Sequence, residues 1–191
     1  MILGAALNAV GHLDYVIDTV RGRCRPSIVS WTLWSFPPGI ALAAEIVAGS
    51  GPQALLTFAL VLGPLSVLGA CAVSRTAHWA TGPVDWWCGA LSFATILLWA
   101  ATSNAKLAIA LAIVTDALAA VPTVIKAYRV PGSESPGAFG LFAASGAVTL
   151  LTIDDWSLAT CGFPVYVFGL SNVILLLIVV PRRRLVAVPT G

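Results

Sequence analysis

The sequence predicts an all-α membrane protein of seven transmembrane helices, ordered as three helices, one linker helix and three more. Three observations predict it. Hydrophobic residues make up 59% of the chain and charged residues only 9%, where a soluble domain carries about 25% charged residues. Ten basic and eight acidic side chains are too few to clothe a water-facing surface. The apolar residues fall into seven stretches, most of them long enough to cross a hydrocarbon core of roughly 30 Å as a helix of about 20 residues. The chain also repeats itself. Leu13 to Arg21 leaves one apolar stretch for a short polar loop, and Val121 to Arg129 does the same 108 residues later. Each is followed by a second and a third apolar stretch, with one extra stretch between the triplets.

The expected spans are 2–20, 27–49, 53–74, 84–102, 105–127, 137–153 and 158–180. They group into a first repeat over 1–75, a linker helix within 76–104, a second repeat over 105–184 and a short tail over 185–191. The first span carries no Lys or Arg ahead of its apolar run, so it reads as a helix in its own right rather than a cleaved leader. Arg23-Cys24-Arg25-Pro26-Ser27 stops it and caps the next helix. Gly49-Ser50-Gly51-Pro52 makes a tight connection into the third span, and Val130 to Pro136 separates the fifth from the sixth. Pro26 and Pro52 fall near first turns, where a missing N–H is harmless. The sixth span is rich in small residues, and Gly140, Ala144 and Ala147 are its expected close-packing face. No alternation of polarity suited to barrel strands is present.

Counting loops alternately, one side receives Arg21, Arg23, Arg25, Arg75, Lys126, Arg129, Arg182, Arg183 and Arg184, and the other only Lys106. By the positive-inside rule the first side is cytoplasmic, which puts the N-terminus outside, the C-terminus inside, and Asp154 and Asp155 outside. Arg182 to Arg184 suit anionic lipid. A net charge of +2 gives no footprint for nucleic acid. Cys24, Cys71, Cys88 and Cys161 show no paired spacing and read as small apolar fillers, without disulfide or metal. No phosphate-binding GxxxxGK[ST], HExxH or GxSxG pattern occurs, and the seventh span has no Lys for a retinal Schiff base. No enzyme activity and no cofactor are expected.

A charge at mid-bilayer costs about 2.5–3.5 kcal/mol on insertion scales, so each one asks for a reason. Asp116 lies in the middle of the fifth span, on one face with Ala120 and Thr123, and the 108-residue offset maps it onto Asn8. Polar groups at equivalent points of two repeats would face each other across a pseudo-axis. The functional reading is a solute or proton site; the plainer one is an interhelical hydrogen bond. His12 and Tyr15 extend a polar stripe from Asn8, with His12 either a proton shuttle or a hydrogen-bonded side chain. Asp14 and Asp18 are expected to make rim ion pairs with Arg21 and Arg25. The second span carries Trp31, Trp34 and Pro37-Pro38. Those prolines, with Pro122 and Pro164, are the expected hinges, and Trp34 is a candidate site wall. Glu45 sits near the outer end. Trp79, Trp86 and Trp87, around Asp85, fit an interfacial aromatic belt.

Pro122-Thr123-Val124-Ile125-Lys126-Ala127-Tyr128-Arg129 followed by Ser133-Glu134-Ser135 resembles the PQ-loop motif, with Thr123 standing where that family has Gln. In the first copy Leu13-Asp14 occupies the Pro-Gln position. With the 3+1+3 order, the chain resembles the SWEET sugar transporters and the wider PQ-loop superfamily, which includes lysosomal amino-acid exporters. The resemblance implies two parallel three-helix bundles about an axis along the membrane normal, with a substrate path between them. Asn172 lies where the sugar transporters often have a pocket asparagine. The first and sixth helices lack the family proline, and the counterpart of Asn172 near Leu65 is apolar, which argues against a sugar. The expectation is a multi-pass plasma-membrane transporter or facilitator of a small polar solute, working by alternating access. Proton coupling would run through Asp116, with Asn8, Asn172, His12, Thr123 and Trp34 as partners. Its partners are the bilayer and the solute, as a monomer or a homo-oligomer. The alternative is a receptor or assembly protein of the same architecture that transports nothing.

Overall fold

The computed structural model describes residues 2–47, 53–74, 82–101, 105–154 and 156–180. Among these residues every regular element is helical: α1 (Ile2–Val20), α2 (Ile28–Val47), α3 (Gln53–Val73), α4 (Pro83–Ala100), α5 (Ala105–Arg129), α6 (Pro136–Leu151) and α7 (Leu158–Val179), with a single 3₁₀ turn at Pro131–Ser133. The helix ends lie within two residues of the apolar stretches that predict them. Two described segments, Ala110–Arg129 and Cys161–Val179, are long and apolar enough to cross a membrane, and Leu60–Val73 and Pro136–Leu151 are shorter apolar helices. Arg75, Trp79, Asp155, Arg182 to Arg184, the 49–52 connection and the 185–191 tail fall outside the described residues, as do the side chains of Glu45 and Lys106.

The two halves share one packing order. In the first, α3 packs against both α1 and α2, whose described backbones stay apart and meet only through the rings of His12 and Tyr15 on Trp31. In the second, α7 packs against both α5 and α6, whose described backbones likewise stay apart. The halves meet through α1 against α6 and α2 against α5. These two contacts exchange when α1, α2 and α3 are swapped for α5, α6 and α7, as a two-fold relation requires. The fourth helix packs on α5 and touches α2.

The α1–α6 contact depends on small residues. A Cβ on Gly11 would lie 2.6 Å from the Phe142 ring and 3.3 Å from the Ala138 carbonyl, so only glycine lets the two helices approach this closely. The face of α6 that packs is not the expected one. Ala138, Phe139, Phe142, Ala143, Ser145 and Gly146 are buried, whereas Ala144 is exposed and Gly140 has nothing near its absent side chain. Counting small residues missed that α6 is inserted between α1 and α7 and turns its phenylalanines inward.

Local capping follows the repeat. The Ser135 hydroxyl accepts the Ala138 N–H at 3.3 Å to start α6, and Ser27, 108 residues earlier, accepts the Ser30 N–H at 3.4 Å to start α2. The helices run on through Pro37, Pro38, Pro64, Pro122 and Pro164. The buried core gathers Tyr15, Cys24, Trp31, Val67, Ala127, Ala138, Phe139, Phe142 and Ile174. It lies toward the end of the bundle that carries the α1–α2 and α5–α6 loops.

Candidate functional site: a cavity between the halves

A cavity of about 430 Å³ lies between the two halves and is lined by every helix except α4. Its walls repeat at the 108-residue offset. Trp31 and Trp34 on α2 correspond to Phe139 and Phe142 on α6, Asn8 on α1 corresponds to Asp116 on α5, and all six line the cavity. The aromatic walls are fixed by edge-to-face contacts. Trp31 and Trp34 stand at 89° with ring centroids 5.1 Å apart, and Phe139 and Phe142 at 87° and 5.8 Å. The N–H groups of Trp31 and Trp34 close no hydrogen bond; they lie beside the Tyr15 hydroxyl and the Asp116 carboxylate.

Polar side chains on the lining are few: Asn8, His12, Asp116 and Ser171. Asp116 accepts a 2.8 Å hydrogen bond from the Tyr166 hydroxyl of α7. His12 donates from Nδ1 to the Asn8 carbonyl at 3.0 Å, which leaves Nε2 as the acceptor of the neutral ring. The ring packs edge-on to Trp31 and against Phe142. It fits because α3 has Gly63 opposite, where a Cβ would lie 2.7 Å from His12 Nε2.

Below the cavity, toward the arginine-bearing loops, a buried ionic network joins four parts of the chain. Lys126 Nζ of α5 sits 2.6 Å from Glu134 Oε1, with both side chains fully buried. The Tyr15 hydroxyl of α1 donates to Glu134 Oε2 at 2.5 Å. Lys126 also donates to the Arg25 carbonyl, and the Arg25 N–H reaches the Ser133 carbonyl at 2.8 Å. Burial pushes the Glu134 carboxyl above the usual carboxylate range, while Lys126 and the Tyr15 hydroxyl pull it back. The Tyr15 ring fills the space above by packing on Trp31 and Phe139. Beside it Cys24 is buried, its thiol 3.2 Å from the Thr19 hydroxyl, and burial pushes the thiol up to about 12.

Among the expected site residues, Asn8, His12, Trp34, Asp116, Pro37 and Pro38 line the cavity. Thr123, Asn172, Pro122 and Pro164 do not. Thr123 is fully buried and donates to the Ser30 hydroxyl at 3.0 Å, tying α5 to α2. Asn172 turns back on its own helix and donates to the Phe168 carbonyl at 2.8 Å, and its neighbour Ser171 faces the cavity instead. Lys126 is not a loop charge: it is one half of the buried pair. Asp18 pairs with Arg23 rather than Arg21 or Arg25, and Asp14 accepts from the Ser135 hydroxyl at 3.0 Å. Asp85 is buried and caps the Gly82 N–H at 2.7 Å, while Trp86 and Trp87 are each 71% exposed. All four cysteines are free thiols.

Sequence reasoning missed Glu134, Tyr166, Pro64 and the Phe139–Phe142 pair. For the phenylalanines the signal was present: the repeat offset applied to Trp31 and Trp34 lands on them. No family model, curated protein or solved structure matches the chain.

Proposed function

We propose that this chain is a multi-pass membrane transporter or facilitator of a small polar solute. Its seven helices form two parallel three-helix repeats around a linker helix and work by alternating access, with proton coupling through Asp116. The observation that carries this reading is the cavity. It sits between the two halves, takes equivalent residues from each, and contains a carboxylate whose hydrogen-bond partner is a neutral phenol. Solute sites of repeat-built transporters are expected at such an interface.

Two further observations support it. Large apolar side chains are exposed on all seven helices, among them Leu3, Val10, Leu62, Phe93, Leu98, Val114 and Leu176. That surface suits lipid and is a poor match to water. The Tyr15–Glu134–Lys126–Arg25 network lies across one end of the cavity, beside Arg21, Arg23 and Arg25. In this reading that end is cytoplasmic, the N-terminus is outside, and the network is the contact that breaks when the cavity opens inward. The Tyr166–Asp116 hydrogen bond favours the other reading, in which Asp116 only holds α5 to α7 and the protein serves as a receptor or assembly partner.

The deciding experiment reconstitutes the purified protein in liposomes and follows solute-dependent proton flux, wild type beside Asp116→Asn. Flux that disappears in the variant supports a coupled transporter. Solute flux without proton movement, intact in the variant, supports a facilitator and reduces Asp116 to structure. A folded protein that moves no solute refutes transport.

A further inference from the structure

The solute class can be narrowed from the cavity's chemistry, and this step rests on reading the cavity as the solute site. We propose that the cavity takes a compact organic ammonium, a cationic amine carried on an aromatic or branched apolar body.

Charge comes first. Among the described residues Asp116 is the only carboxylate on the lining, and none of the described lining residues is Lys or Arg. Lys126 is ten residues further along α5, about 15 Å by helical rise, and is already engaged by Glu134 and the Arg25 carbonyl. A carboxylate in an apolar cavity without a cationic neighbour favours a ligand that brings the cation. The walls agree with this. Trp31, Trp34, Phe139, Phe142 and Phe163 line the same cavity, and aromatic faces attract ammonium groups, Trp most strongly. Backbone chemistry points the same way. Pro37, Pro38 and Pro64 line the cavity and supply no N–H donor to it. His12 adds an acceptor through Nε2.

The competing classes fit less well. A hexose brings a hydroxyl on nearly every carbon, but the described lining offers it four polar side chains and the N–H groups of Trp31 and Trp34, and each hydroxyl left unpaired is penalised. A zwitterionic amino acid needs a positive partner for its α-carboxylate, and none lines the cavity among the described residues. The volume of about 430 Å³ falls within the roughly 300–1,000 Å³ of small-molecule sites. It leaves room for an apolar body beside the ammonium.

The test is a binding titration on the intact protein in nanodiscs by calorimetry, with tryptophan fluorescence from Trp31 and Trp34 as a second readout. The probes are phenethylamine, its neutral isostere 2-phenylethanol, phenylalanine and glucose. The proposal expects phenethylamine to bind at least about tenfold more tightly than 2-phenylethanol, with phenylalanine and glucose weaker still. It also expects Asp116→Asn to remove most of the preference for the amine over the alcohol. The amine-to-alcohol comparison is made on wild-type protein, so it stands even if the variant folds poorly. Equal binding of amine and alcohol overturns the ammonium assignment, as does tighter binding of glucose or phenylalanine. If one of those two binds and Trp34→Leu weakens it, the cavity remains the solute site and only the ammonium class falls. If no probe binds and the liposome screen finds no flux for any solute, both readings fall together.

Discussion

Replacing Glu134 with Gln keeps the size and shape of the side chain and removes its charge. In the folded protein this strands the Lys126 ammonium, which is fully buried and 2.6 Å from the carboxylate it loses. Removing one partner of a buried ion pair costs about 3–5 kcal/mol, because the remaining charge has neither water nor a counter-ion. Tyr15 also loses a charged acceptor at 2.5 Å, and that contribution overlaps with the first rather than adding in full. Against a total stability of about 5–15 kcal/mol the loss is large. At roughly 2–4 °C per kcal/mol for a chain of this length it corresponds to a fall in Tm of roughly 6–20 °C. The assay is thermal unfolding of the detergent-purified protein, followed by tryptophan fluorescence, for Glu134→Gln, Lys126→Met and the double variant. Replacing both partners removes the stranded charge, so the double variant should be more stable than either single one. A Glu134→Gln variant within about 2 °C of wild type, or a double variant whose loss is the sum of the two single losses, would refute the buried pair as described.

Three further outcomes follow from the packing. Gly63→Ala puts a methyl 2.7 Å from His12 Nε2, so it should push the ring into the cavity and reduce any cavity-dependent binding or flux at least several-fold with only about 1–3 kcal/mol lost in stability; unchanged binding would mean that His12 does not shape the site. Cys24 should resist maleimide in the folded protein and react promptly once it is unfolded in SDS, because the thiol is buried and held protonated. Its folded pKa of about 12 lies above the ordinary value of 9.0, so its contribution to stability is complete below pH 9 and fades as pH rises toward 12; ready labelling of the native protein at pH 8 would contradict that burial. Ser135→Ala removes both the α6 cap and the bond to Asp14 and should cost about 0.5–2 kcal/mol in the same unfolding assay, with a neutral result counting against the cap.

Helix positions were legible because each apolar stretch is bounded by a strong break. Gly22-Arg23-Cys24-Arg25-Pro26 cannot continue a helix, and the 131–136 stretch ends one helix and caps the next. The cavity was legible through the repeat: mapping Asp116 onto Asn8 picked out two residues that share it. What sequence could not give was the side each residue turns to once six helices compete for one interior. Asn172 and Ser171 are adjacent and both polar, and helix rotation decides that Ser171 faces the cavity. Lys126 counted as a loop cation because it lies in the last turn of its helix beside Arg129. Its burial depends on Glu134, eight residues away across a 3₁₀ turn, a pairing that no 3.6-residue periodicity encodes.

The repeat also explains where the asymmetry lies, and this bears on how the protein would work. The two three-helix units place aromatic pairs at equivalent positions, and Trp31 with Trp34 and Phe139 with Phe142 line the same cavity. An apolar box of that kind holds a body but gives it no preferred orientation. The charged positions break the equivalence. Asn8 is matched by Asp116, so the only charge of the pair lies on the second unit. At the loop end Asp18 is matched by Lys126, and Pro26 by Glu134. The first unit therefore pairs a partly buried Asp18 with an exposed Arg23 at its loop, while the second buries Lys126 against Glu134 and reaches across to Tyr15 and Arg25 of the first. The packing of the two units forms the cavity, and the substitutions of the second unit supply its carboxylate and the buried pair at one end, which in the proposed reading would select an ion and close that end. An exchange of Asn8 and Asp116 would test this division directly: the box and the fold should survive, but solute preference should follow the carboxylate to α1, away from Tyr166.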